Sequence, residues 1–258
     1  MTLAAWLADV PWYVLAVIPL ATVAAYTVFG ATGFGSSIIL VPVLAHWFAL
    51  TFAVPLITLV DSVSATNASV RQWRHANLAE CRRLLPAMLL GIAAGATLLV
   101  KLPRSMALLA LGVFVAAYGT YLLIGQRSWR TMRAIWAWPL GLAGGAFSVL
   151  FGTGGPLYML YLSARIHDKT ALRATSSLII AISVIIRTGV FAVTGLLLEL
   201  PLLVAAAALL PLMFVGYFLG NRLHFALSRA GVIKIIAALL AVYGAALVVR
   251  AVAMLRND

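Results

Sequence analysis

Two glycine-rich breaks interrupt apolar runs of this chain: Phe29-Gly30-Ala31-Thr32-Gly33-Phe34-Gly35-Ser36-Ser37 and Phe151-Gly152-Thr153-Gly154-Gly155-Pro156. Glycine lets a backbone approach a ligand closely. Where a helix restarts after such a break, its free N–H groups and positive dipole end favour an anion. Ser36 and Ser37 can cap the restart or donate hydroxyls. Thr32 and Thr153 precede corresponding glycines, Gly33 and Gly154, and can add hydroxyl contacts. Gly35, Gly152 and Gly155 complete the two breaks. Pro156 suits a first helical position, where its missing N–H costs nothing. Glycines also permit close helix packing, so an anion site and a packing face both stand as readings of the same residues.

Arg187 lies deep in the apolar stretch 178–193. A charge there is expensive and faces a cavity or a partner. Its planar fork can bind an anionic headgroup, or it can form a structural ion pair with Asp61; the two roles are compatible. Asp61 sits mid-segment and can pair with Arg187, carry a proton or help hold a cation. Asn67 follows on the same segment, where it can share a helix face with Ser64. No P-loop, HExxH or Gly-x-Ser-x-Gly pattern occurs. No metal-ligand cluster accompanies the single cysteine, Cys81. The four histidines fall near segment ends or in loops. No metal, no enzymatic cofactor and no enzyme activity are therefore expected.

These residues are carried by a membrane chain. Its 258 residues are 64% hydrophobic and only 9% charged, where a soluble domain is about a quarter charged. Long apolar runs recur, without the alternation of a β-barrel. The net charge of +12 reflects Lys and Arg flanking membrane segments rather than a nucleic-acid partner. The N-terminus lacks a cationic n-region and a small-residue cleavage site, so no removable signal peptide is expected. Hydropathy predicts segments over about 13–47, 50–70, 84–100, 105–124, 134–163, 174–197, 202–221 and 231–249.

The two halves repeat. Pro86-x-Met88-x-x-Gly91-x-x-x-Gly95, Arg104 and Tyr118-Gly119 recur as Pro211-x-Met213-x-x-Gly216-x-x-x-Gly220, Arg229 and Tyr243-Gly244, each 125 residues on (211 against 86). The glycine breaks pair at 121 (154 against 33). The repeats are expected to span 1–133 and 134–258 within one integral membrane domain. The first broken segment, about 35 residues, would be roughly 50 Å as one helix, against a hydrocarbon core of about 30 Å. A hairpin that dips in and returns fits better. Charge agrees: with hairpins, twelve cations (Arg71, Arg74, Arg82, Arg83, Arg127, Arg130, Arg133, Arg165, Lys169, Arg173, Arg222, Arg229) lie inside and four (Lys101, Arg104, Arg250, Arg256) outside. Single crossings would give nine against seven, and the positive-inside rule prefers the first. Three crossings per half invert the second half, so the hairpin tips can meet near the midplane. The expected fold is an all-α polytopic membrane protein of two inverted repeats. Each is a re-entrant glycine-tipped hairpin plus about three transmembrane helices.

The motif Gly-x-x-Gly-Phe-Gly-Ser-Ser-Ile-Ile-Leu-Val-Pro at 30–42, its partner Phe-Gly-Thr-Gly-Gly-Pro-Leu at 151–157 and the two-half layout resemble the TauE/SafE family, the sulfite exporter or TSUP group. The resemblance covers nearly the whole chain. It implies transport of small anions such as sulfite, sulfonates like sulfoacetate, or other organic acids, with direction varying among members. Phe34, Ser36 and Ser37 depart from the usual glycine-rich pattern; Phe34 narrows the tip or meets an apolar part of the substrate. The expected function is secondary active transport of such an anion by alternating access, in a bacterial inner membrane, with a passive anion channel as the alternative. The expected partners are the anion, the lipid bilayer and a proton or sodium as coupling ion. Both termini should be outside, with 71–83, 126–133, 165–173 and 222–229 in the cytoplasm; sided labelling of single introduced cysteines checks this. A cytoplasmic C-terminus contradicts the inverted arrangement.

Overall fold

The computed structural model describes residues 11–32, 34–124, 132–223 and 229–256. Every regular element among them is helical. The first half carries α1 (Val14–Thr32), α2 (Ser36–Ala45), α3 (Leu50–Gln72), α4 (Leu78–Lys101) and α5 (Arg104–Ile124). The second carries α6 (Ala137–Phe151), α7 (Gly155–Arg165), α8 (Lys169–Val193), α9 (Leu200–Leu223) and α10 (Arg229–Leu255). Seven stretches among the described residues are long and apolar enough to cross a membrane, in α1, α3, α4, α5, α6, α8 and α9. Two helices begin earlier than hydropathy predicts, because polar caps start them. The Asn77 side chain accepts from the Ala79 and Glu80 amides at 3.1 and 3.3 Å, opening α4 at Leu78 rather than near 84. Asp168 accepts from the Ala171 amide at 2.6 Å, opening α8 at Lys169 rather than near 174. Such caps satisfy first-turn donors that lack an intrahelical partner.

Both broken segments fold back as hairpins, but with unequal arms rather than two half-helices: the first arms are long and apolar enough to cross a membrane, the returning arms are short. At about 1.5 Å per residue, α2 and α7 reach only about 15 and 16 Å, half a hydrocarbon core. The rings of Tyr13 and Trp47, at the two ends of the first broken segment, lie 6.3 Å apart. In the second, Arg165 Nη1 donates to the Met132 carbonyl at 3.2 Å. Each segment thus returns to where it begins. Arginines also anchor the returning arms. Arg250 on α10 donates to the His46 carbonyl at the end of α2. At the end of α7, Arg165 Nη2 meets Glu80 of α4 at 2.9 Å. Glu80 also takes Arg83 at 2.6 Å and the Tyr161 hydroxyl at 2.5 Å.

Packing joins helices across the halves. α1 lies along α9, α6 along α4, α3 against α8 and α5 against α10. The paired glycines make these approaches. A Cβ on Gly91 or Gly95 of α4 would stand 2.0 Å from the Leu142 carbonyl oxygen or 2.7 Å from that of Ala146, both on α6. On α9, a Cβ on Gly216 or Gly220 would meet the Val23 or Thr27 carbonyl of α1 at 2.5 or 2.1 Å. Gly119 abuts the backbone of Ala241, and Gly244 that of Ala116. Both pairs are 125 apart (244 against 119, 241 against 116). Without water in the bilayer core, backbone-to-backbone approach of this kind supplies the contact energy.

Gly91→Ala is therefore expected to force α4 from α6 and to destabilise the protein by about 1–3 kcal/mol, read as a lowered thermal midpoint in detergent. Gly189→Ala on α8, where a Cβ meets nothing within 4 Å, should cost nothing.

Candidate functional site

The two tips meet. A Cβ on Gly155 would lie 3.6 Å from Cβ of Phe34, and one on Gly152 would lie 3.2 Å from Cβ of Ser37. A small cavity of about 30 Å³ lies at this junction. It is lined by Phe34, Gly35, Ser36 and Ser37 from the first tip and by Gly152, Thr153, Gly154, Gly155 and Pro156 from the second. Asp61 of α3 and Arg187 of α8 complete it, with Ser148, Tyr158, Ser183 and apolar walls from Phe29, Ile38, Ile180 and Val184. Gly33 lies outside the described residues, and only the backbone of Thr32 is described, as the last residue of α1. Asn67 is elsewhere, exposed beside Ser62 and Thr66 on another face of α3.

Local conformation explains the tips. Gly152 closes α6 with φ 70°, and Gly35 caps α2 with φ 105°; both are left-handed conformations that cost a side chain energy. Gly154 is a packing position: a Cβ there would meet the Gly144 carbonyl at 2.5 Å. Gly155 has only ordinary contacts, with Ile180 at 3.5 Å and Phe34 at 3.6 Å, so its missing side chain leaves space between the tips. Pro156 stands in the first turn of α7, where no amide is needed.

Asp61 and Arg187 are both buried, at 4% and 1% exposure. Asp61 Oδ1 accepts from the Tyr26 hydroxyl and from Ser36 Oγ, each at 2.8 Å. Oδ2 accepts from Ser37 Oγ at 2.5 Å and lies 3.7 Å from Arg187 Nη2. The hydroxyls of Ser36 and Ser37 are thus committed to Asp61 in this state. Arg187 Nη1 donates to the Ser148 carbonyl at 2.5 Å, in the last turn of α6, where the negative dipole end favours a cation. Ser148 Oγ lies 3.4 Å from the same nitrogen and 2.8 Å from Ser183 Oγ. Nε and Nη2 of Arg187 have no hydrogen-bond partner, nor does the buried hydroxyl of Thr153. The Nε–Nη2 edge is the side of a guanidinium that takes an oxyanion bidentately.

Sequence reasoning did not find Tyr26, Ser148, Tyr158 or Ser183. Ser183 had a signal, since it precedes Arg187 by four residues and shares its helix face. Tyr26 had none, being 35 residues from Asp61.

Helices packed through glycine, two hairpins and a charged cavity where their tips meet define a multi-pass membrane transporter. The sulfite exporter TauE/SafE family profile matches residues 18–247, and the chain belongs to that family, one of transporters and not enzymes. Among similar proteins, the "Probable inner membrane transporter protein TsaS" of Comamonas testosteroni is 26% identical over 179 residues, 65% of this chain and 71% of its own. No solved structure matches the chain significantly.

Gly155→Leu should fill the space between the tips. Transport in proteoliposomes is expected to fall at least tenfold while the thermal midpoint stays within a few degrees. Normal transport would make Gly155 a bystander.

Proposed function

We propose that the protein is a secondary active transporter of a small organic or sulfur-containing anion, a sulfite, sulfonate or similar carboxylate, working by alternating access in an inner membrane. The observation that carries this reading is Arg187, buried in the lining of the tip cavity, with Nε unpartnered and Nη2 making only a long 3.7 Å contact with Asp61. An unsatisfied charged donor in a dry site is costly, and a bound oxyanion would satisfy both nitrogens at once. The Thr153 hydroxyl and the amino-terminal end of α7 add a donor and a positive dipole end. The family assignment and the name of the TsaS relative support the anion class and the inner membrane.

Two inverted repeats, 1–133 and 134–258, would supply the moving parts. The exchange of packing partners between corresponding helices supports that duplication, and opposed hairpins would place their tips near the midplane. Thr32, Gly33, Phe34, Gly35, Ser36 and Ser37 would form the wall of the site opposite Gly152, Thr153, Gly154, Gly155 and Pro156. A passive anion channel would use the same tips as a filter; saturation and counterflow in proteoliposomes separate the two.

Calorimetric titration of the purified protein with sulfite, sulfoacetate and methanesulfonate tests the site. Arg187→Gln should weaken binding at least tenfold, about 1.4 kcal/mol. Arg187→Lys should recover only part, since it keeps charge but loses the fork. Full affinity in a stably folded Arg187→Gln protein would remove Arg187 from the site.

A further inference from the structure

The two tips differ in what occupies them. At the first, the amino-terminal end of α2 is filled by the protein's own carboxylate, held through Ser36 and Ser37, the first two residues of that helix. At the second, the amino-terminal end of α7 has no protein anion, and Thr153 has a bare hydroxyl. Arg187 lines the same cavity; its Nη2 is 3.7 Å from Asp61 and, like Nε, makes no hydrogen bond among the described residues. Among the described residues the cavity lining contains no histidine and no second carboxylate. The groups around Asp61 are Tyr26 from α1, Arg187 from α8 and Tyr158 from α7, while α2 and α6 add only hydroxyls. α9 brings Tyr217 against Phe29.

We propose that Asp61 is the proton carrier of the transport cycle: it takes up a proton when the anion occupies Arg187 and gives it up when the anion leaves, so each anion crosses with one proton. This rests on the anion site proposed above and names its coupling ion. The proton comes from water on the side the anion enters and bonds to a carboxylate oxygen of Asp61, which turns from an acceptor-only group into a donor. One of the three hydroxyls that now donate to it can then accept instead. On the far side both proton and anion leave, and the Asp61–Arg187 pair re-forms.

Charge makes the coupling strict. Empty, the cavity holds one carboxylate and one guanidinium. Loaded with a monoanion and a proton, it has the same net charge. An anion beside an ionised Asp61 puts two negative charges on one buried cation, and a like charge nearby disfavours the ionised carboxylate. A proton without an anion leaves Arg187 unmatched at membrane depth, which is expensive. Only the empty and doubly loaded forms change sides cheaply.

The test uses the whole protein in detergent and methanesulfonate, an anion ionised throughout the pH range used. Titrations in two buffers of different ionisation heat give the protons taken up per anion bound. The wild-type protein should take up about one proton per anion where binding depends on pH, and its affinity should fall about tenfold per pH unit there. Asp61→Asn should bind with no proton uptake and equal affinity at pH 5.5 and 8.5. The pair Ser36→Ala with Ser37→Ala removes two donors to the carboxylate and should raise the midpoint of the pH dependence by about one unit. Wild-type binding without proton uptake overturns the proposal, as does proton uptake that survives in Asp61→Asn. The wild-type measurement needs no variant to fold. If sulfite, sulfoacetate and methanesulfonate all fail to bind, the anion site falls and the coupling with it.

Discussion

A guanidinium 1% exposed among apolar helices must be compensated on every side or neutralised, because its solvation is lost. Much of the architecture around the tips meets that demand. α6 ends at a left-handed Gly152, whose amide donates to the Ser148 carbonyl at 3.0 Å, and Arg187 Nη1 donates to the same oxygen. α3 brings Asp61 to within 3.7 Å. The first hairpin in turn holds Asp61 by two serines at the start of α2 and by Tyr26 on α1. One buried pair thus connects α3 and α8 to both hairpins. The compensation is incomplete: Nε has no partner among the described residues and Nη2 only the 3.7 Å contact with Asp61, in a side chain that lines the cavity.

The glycine contacts explain how such a site can be held without a rigid core of large side chains. Each long hairpin arm packs on a helix of the other half, α1 on α9 and α6 on α4. Each hairpin therefore buries a long arm against the opposite half. The returning arms are tied at their ends by Arg250 and by the Glu80–Arg165 contact. Arg83 and Arg165, counted as cytoplasmic charges from the sequence, are both held by Glu80.

Much of this was legible in the sequence where a local pattern has a direct physical meaning. The length of the broken segments and the charge distribution favour hairpins, and the Tyr13–Trp47 and Met132–Arg165 contacts close the two broken segments. Two glycine pairs separated by 125 residues mark the close approaches. The Arg187–Asp61 ion pair was one of two compatible roles for those charges. The early starts of α4 and α8 were hidden because their first turns are polar and a hydropathy window discards them. Side-chain direction was not legible either. Asn67 lies one and a half turns from Asp61 yet faces away, the hydroxyls of Ser36 and Ser37 turn to Asp61, and Gly154 packs while Gly155 leaves space. These depend on the rotation of one helix against another, which the spacing of apolar residues does not fix in a chain apolar on nearly every face.

The most direct measurement is the position of a bound oxyanion. Crystals grown with selenite, an anion of sulfite's shape with an anomalous scatterer, should show a peak between the two tips. Two of its oxygens should lie about 3 Å from Nε and Nη2 of Arg187. A selenite site away from Arg187, with that edge still bare in the complex, would contradict the account.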